Sequence, residues 1–222
     1  MSVPPWVIAM CPIVGLLGLL SIAWWFARRG IGAIHRAASY GDVEKMTALL
    51  TARPDSVDVP DVVGLTPLQY AACWGQVGAA KKLIQSGADV NLAKSWSPLH
   101  YAAAGGQEEL AAILLDAGAD INTRSKADDT TPLHTATIKK QAAMAQFLID
   151  HGAALDVATK SGWNACHFAA HEGDLQTMQV LLDAGADWHA QNADDKTPLE
   201  LALANGYKEI VNLAVKHNDA GQ

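Results

Sequence analysis

One six-residue phrase keeps returning along the chain, and its spacing leaves few folds open. It reads Thr131-Pro132-Leu133-His134-Thr135-Ala136, preceded by Thr66-Pro67-Leu68-Gln69-Tyr70-Ala71 and Ser97-Pro98-Leu99-His100-Tyr101-Ala102. Later versions are Asn164-Ala165-Cys166-His167-Phe168-Ala169 and Thr197-Pro198-Leu199-Glu200-Leu201-Ala202. The phrase starts at Thr66, Ser97, Thr131, Asn164 and Thr197, a nearly constant interval. A second marker, Gly-Ala followed by Asp or Ala, begins at Gly87, Gly118, Gly152 and Gly185, in step with the first. Two markers in register at about 33 residues point to stacked supersecondary units, none of which buries its faces alone.

The residues between the markers say what each unit is. Thr66 before Pro67 is a helix start, a hydroxyl N-cap followed by proline where a missing N–H costs nothing. Ala71 and Ala72, like Ala102 and Ala103, are small enough for close helix approach, and Gly75, Gly106 and Gly173 end the first helix in a tight turn. Leu110, Ile113, Leu114 and Ala117 form the apolar stripe of a second helix, and Gly118 suits its left-handed C-cap. In these features the chain resembles the ankyrin repeat family from about residue 32 to 216. The resemblance implies an all-α repeat fold, a solenoid of helix-turn-helix units with β-hairpin fingers. Ile34 stands one such period before Leu68, so a first unit without Thr-Pro begins there, giving six ankyrin-like repeats over 33–216 and a short tail at 217–222. Two fingers depart from the period: the stretch before Ser97 is two residues short, and Asp128-Asp129 adds one. Lys140 replaces the turn glycine of the fourth repeat.

Ahead of the repeats the composition changes. Residues 1–5 form a short tail, residues 6–27 carry no Asp, Glu, Lys or Arg, and 28–32 make a basic, glycine-containing hinge. As a helix, 22 residues would be about 33 Å long, enough for a hydrocarbon core of about 30 Å. Trp6 at one end and Trp24, Trp25 and Phe26 at the other sit where amphipathic rings favour the headgroups, and Arg28 and Arg29 follow. These features predict a transmembrane anchor helix and a single-pass membrane protein, N-terminus outside and repeats in the cytoplasm. The alternative is an exported protein cleaved near Ala23, although the run is longer than a signal peptide needs and lacks a basic lead.

The net charge of -7 argues against nucleic-acid binding, for which a basic stripe would be expected. No His-Glu-x-x-His, phosphate-cradling glycine loop or Gly-x-Ser-x-Gly elbow occurs, so no catalytic residue, cofactor or small-molecule substrate is expected. Cys166, His167 and His171 cluster in sequence, yet two histidines at helical spacing do not make a zinc site without further donors. The resemblance gives His35, His100, His134 and His167 a structural role, each ring bonding backbone near a finger. It also implies that partners dock on finger tips and first-helix ends lining a concave face. On that basis the candidate partner-binding residues are Tyr40, Leu65, Trp74, Trp96, Trp163 and His171, aromatics at such positions being typical interface anchors. The expected function is membrane-tethered recruitment or scaffolding of a protein partner. The alternative is an accessory structural subunit of a larger membrane complex.

Overall fold

A computed structural model describes residues 32–220, and the chain divides into two compact units, Met1–Asp120 and Ile121–Gln222. Among the described residues the first unit holds six helices: α1 (Ala33–Tyr40), α2 (Val43–Ala52), α3 (Pro67–Cys73), α4 (Val77–Gln85), α5 (Pro98–Gly105) and α6 (Glu108–Asp116), with a 3-10 turn at Pro54–Ser56. First helices stack on first helices, α1 on α3 and α3 on α5, while second helices form a parallel row, α2 on α4 and α4 on α6. The second unit repeats this with α7 (Pro132–Ile138), α8 (Ala142–Asp150), α9 (Ala165–Glu172), α10 (Leu175–Asp183), α11 (Pro198–Ala204) and α12 (Lys208–Ala220).

Helices of seven to nine residues are marginal alone, and packing sustains them. The side chains between the layers include Leu68, Leu83, Leu99, Leu110 and Leu114 in the first unit and Leu133, Met144, Leu148 and Leu181 in the second, all essentially inaccessible. Alanines Ala71, Ala72, Ala102, Ala103, Ala169 and Ala170 are equally buried, which lets successive first helices approach closely.

Two expectations are corrected. The fingers are not β-hairpins: no strand is found among the described residues. Three tips are tight turns spanned by a backbone bond, from Asp61 N–H to Leu65 O (2.9 Å), Thr159 N–H to Trp163 O (2.9 Å) and Asn192 N–H to Lys196 O (2.9 Å), with a shorter-range bond inside each, Gly64 N–H to Asp61 O, Gly162 N–H to Thr159 O and Asp195 N–H to Asn192 O. The finger with Asp128-Asp129 closes one residue later, from Ser125 N–H to Thr130 O (2.8 Å). Side chains take the N–H groups a ladder would need: Asp61 Oδ1 accepts from Val63 and Leu65, Asn192 Oδ1 from Asp194 and Lys196. The expected transmembrane helix is corrected too, since no helix among the described residues is long and apolar enough to cross a membrane. Even α12, at 13 residues, spans about 20 Å against a core of about 30 Å. The run 6–27 with Trp6, Trp24, Trp25 and Phe26, and Arg28 and Arg29 after it, lies outside the described residues. The single-pass localisation, which rested on that helix, is corrected with it.

Candidate functional site

Apart from α1, whose N-cap is Gly32, the first helices begin in capping boxes. In α3 the Thr66 N–H donates to Gln69 Oε1 (2.7 Å), and Gln69 Nε2 reaches across to Trp96 O in the next finger. Histidine does the same work elsewhere: Nδ1 accepts from the N-cap N–H of Ser97 (3.2 Å to His100), Thr131 (3.1 Å to His134) and Asn164 (3.2 Å to His167). The far nitrogen of His167 lies 3.0 Å from Lys196 O, and that of His35 lies 2.9 Å from Val59 O. With Nδ1 accepting, the proton of His167 belongs on Nε2, a neutral tautomer assigned from the network. Burial holds His35 and His167 below the usual histidine pKa, only partly offset by the Asp61 charge and backbone carbonyls at His35 and by backbone carbonyls and the Asp187 charge at His167. Both ring nitrogens of His167 are therefore committed to the fold. The neighbouring Cys166 is free and buried, its thiol pushed up to about 12 by burial with a smaller push from Asp187. A protonated thiol of that kind is a core atom, not a ligand.

The residue before each N-cap packs back on the helix it precedes. Trp96 lies 5.4 Å from Tyr101 and is stacked 5.8 Å from His100; Trp163 lies 5.1 Å from Phe168 and 6.0 Å from His167. These are hydrophobic staples, joining the residue before the N-cap to the fourth helical position. Leu65 occupies the same place before Thr66 and is 6% exposed, so its expected exposure is corrected: the finger base turns it inward. Sequence spacing carried this signal in the pairs Trp96/Tyr101 and Trp163/Phe168. Trp96 and Trp163 remain half-buried, each with its ring partly committed.

At the other end of the first helices lies a latch that the repeat pattern alone did not suggest. Gln76 Nε2 donates to Ser39 O at the end of α1 (3.2 Å). The Gln107 amide, suitably oriented, donates to Ala72 O in α3 (2.8 Å) and accepts from Gly75 N–H (3.3 Å). Each glutamine, just ahead of a second helix, thus adds a bond to a carbonyl where the first helix of the previous repeat ends. Gly75 must lack a side chain, since its φ is +66° and a Cβ would sit 3.0 Å from the Gln107 amide. The recurrence of Gln76, Gln107 and Gln141 at one position of successive repeats was the available clue.

Beside these latches lie the remaining candidates. In the first unit Tyr40 is 46% exposed at the end of α1, Trp74 is half-buried just after α3, and Gly105 is exposed at the end of α5. In the second unit two of the equivalent places carry charge, Lys139 after α7 and Glu172 at the end of α9, and the third is Asn205 after α11. His171 is exposed, edge-on to Trp163 at 5.3 Å and 3.2 Å from Glu172 Oε1. Lys140 occupies the left-handed region at φ 57° and donates from Nζ to Glu172 O (2.7 Å). The two units thus present different chemistry at homologous positions, aromatic and uncharged in one, ionic in the other.

Comparison with known proteins agrees with this geometry. The family model described as ankyrin repeats matches in three copies, over residues 34–125, 99–192 and 155–222. Inversin of Gallus gallus is 32% identical over 189 residues, covering 85% of this chain and 11% of that protein. Rabankyrin-5 of Mus musculus is 36% identical over 58 residues, 26% of this chain and 5% of that protein. The human NAD-capped RNA hydrolase NUDT12 is 38% identical over 55 residues, 25% of this chain and 12% of that protein. The chain therefore spans only a small part of each relative's length, and the hydrolase named in the last is that protein's own. Ankyrin repeats are modules of protein–protein interaction. With capped helix pairs stacked at one regular period and the family model matching from residue 34 onward, the chain belongs to the ankyrin repeat family.

Proposed function

We propose that the chain recruits a protein partner through the C-terminal ends of its first helices, acting as a binding module without chemistry of its own. The observation that carries this reading is the exposure of Tyr40, with Trp74 beside it, on stacked helices. Exposed aromatic side chains on a rigid frame lose little conformational entropy on binding and bury large apolar areas. His171, near the end of α9, is a secondary contact, whereas Trp96 and Trp163 stand at helix starts and are limited by their packing on their own repeats.

The test is a comparison of proteins retained by the immobilised full chain. A Tyr40→Ala/Trp74→Ala variant is set beside Lys81→Ala/Glu109→Ala, which removes a solvent-exposed ion pair between α4 and α6 (3.4 Å). Loss of the same partner from the first variant only supports docking on the first-helix ends. Loss from the second only would move binding to the second-helix side and refute the reading.

A further inference from the structure

Cys73, the last residue of α3, is disulfide-bonded. The chain has three cysteines and Cys166 is free, so an intrachain bond leaves Cys11 as the partner, a residue outside the described ones. Cys11 stands in the uncharged run 6–27, and Cys73 stands among the uncharged helix ends Ser39-Tyr40 and Cys73-Trp74. On the first helices one position faces the repeat before. Tyr70 of α3 meets His35 of α1 edge-on at 5.5 Å, and Phe168 of α9 meets His134 of α7 at 5.4 Å. On α1 that position is Arg36, with Tyr40 one turn later, and no described repeat precedes them. Arg36 is nevertheless half-buried, and both residues are already engaged.

We propose that the N-terminal segment of this chain, residues 1–31, takes the place of a preceding repeat: its uncharged run lies over the ends of α1 and α3, fastened by a Cys11–Cys73 disulfide, and covers Trp74 until that bond is reduced. Reach decides the path. Gly32 opens α1, whose eight residues are about 12 Å long, and packed helices lie about 8–10 Å apart, which puts Gly32 about 15 Å from Cys73. Bonded cysteines have Cα atoms within about 7 Å of each other. A straight helix from position 11 to position 32 would be about 32 Å long, so a segment held at Cys73 cannot run straight off the array and doubles back over it. An uncharged run laid on uncharged, ring-bearing helix ends removes apolar surface from water and buries no charge. Reduction is thiol–disulfide exchange: a dithiol gives up two electrons and two protons, becomes a cyclic disulfide, and leaves Cys11 and Cys73 as thiols. The segment is then held by apolar contacts alone and the Trp74 ring opens to solvent. Reduction thereby admits a partner to the first-helix ends, a consequence that rests on those ends being the docking face, whereas the cover itself does not.

The experiment first alkylates the denatured full chain with iodoacetamide and counts labels by intact mass. A label at Cys166 alone is expected without reductant, and labels at all three cysteines after dithiothreitol, with peptide mapping recovering the Cys11–Cys73 pair. Alkylation of Cys73 without reductant overturns the proposal. The native chain is then treated with 2-hydroxy-5-nitrobenzyl bromide, which labels accessible indoles. Labelling of Trp74 should rise at least about threefold on reduction, and as much in Cys11→Ser without reductant, while Trp163 in the second unit stays constant as the internal reference. Circular dichroism confirms that the reduced chain and the variant are folded. A disulfide at Cys73 with Trp74 labelling indifferent to reduction overturns the cover. Retention of proteins by the immobilised chain in its two redox states separates the two readings. Retention that needs Tyr40 and Trp74 and rises on reduction, together with the Trp74 label, supports both. Retention that needs them and ignores reduction overturns the gating and keeps the docking face. Trp74 opening on reduction with retention indifferent to Tyr40 and Trp74 keeps the cover and overturns the docking face.

Discussion

Replacing His167 by leucine or by glutamine separates the hydrogen-bonding role of the buried histidines from their bulk. Leucine is apolar and of similar size, but leaves the Asn164 N–H and the Lys196 carbonyl without their ring partners, at 3.2 and 3.0 Å in the natural protein. Lys196 O keeps its bond from Asn192 N–H, so only the buried Asn164 N–H is orphaned, and His167→Leu should lose about 1–3 kcal/mol. Glutamine should do far better, because the chain already uses it there: Gln69 accepts from Thr66 N–H at 2.7 Å and donates to Trp96 O. His167→Gln should stay within about 1 kcal/mol of the natural protein. Urea denaturation reads the difference. At an m-value of about 2 kcal/mol per molar, a loss of about 2 kcal/mol moves the midpoint by about 1 M. The pH dependence is a second readout. Burial holds the folded-state pKa of His167 below its ordinary value of 6.5. As pH falls below 6.5 the unfolded chain therefore takes up protons before the folded one, and stability falls until the lowered pKa is passed. His167→Gln should flatten that decline. Equal damage from glutamine and leucine, or an unchanged acid profile in the glutamine variant, would refute the hydrogen-bond account.

Three further outcomes follow from named contacts. Lys140→Gly should raise stability by about 0.5–1 kcal/mol in the same urea assay: relief from the left-handed region is worth about 1–2 kcal/mol, less what the exposed Nζ bond to Glu172 O contributed. Gln107→Ala should cost about 0.5–1.5 kcal/mol, since Ala72 O and Gly75 N–H lose the side-chain amide and keep only their own long bond (3.3 Å), and the amide of Gly75 should exchange faster with deuterium. Trp163→Ala should cost about 2–3 kcal/mol through loss of its contacts with Phe168, His167 and His171, whereas exposed Tyr40→Ala should cost under about 1 kcal/mol; thermal melts compare the pair.

Helix starts, turns and the repeat itself were legible because they depend on neighbours within a few residues. A hydroxyl before proline caps a helix wherever it stands, and regular alternation of Thr-Pro-Leu with Gly-Ala admits little but stacked helix pairs. The expected finger hairpins fail for the same local reason. Turn residues announce a reversal, but whether a ladder follows depends on which groups compete for the N–H donors, and Asp61 and Asn192 win them. The uncharged run at 6–27 offered a membrane helix by composition alone, and the described helices contain none.

The candidate site divides along the same line. That Trp96, Trp163 and Leu65 stand before helix starts was written in the sequence; that they turn back onto their own repeats was decided by packing, because a staple and an exposed anchor share one sequence position. Tyr40 and Trp74 came onto adjacent helices only when α1 settled on α3, and Ser39 O and Ala72 O gained their amide partners only when Gln76 and Gln107 folded over from the next repeats. Short-range patterning therefore determined the elements and their order. Which side chains remained available to a partner was left to contacts between residues a full repeat apart, where competition for burial and for hydrogen bonds is resolved only by the stacked structure.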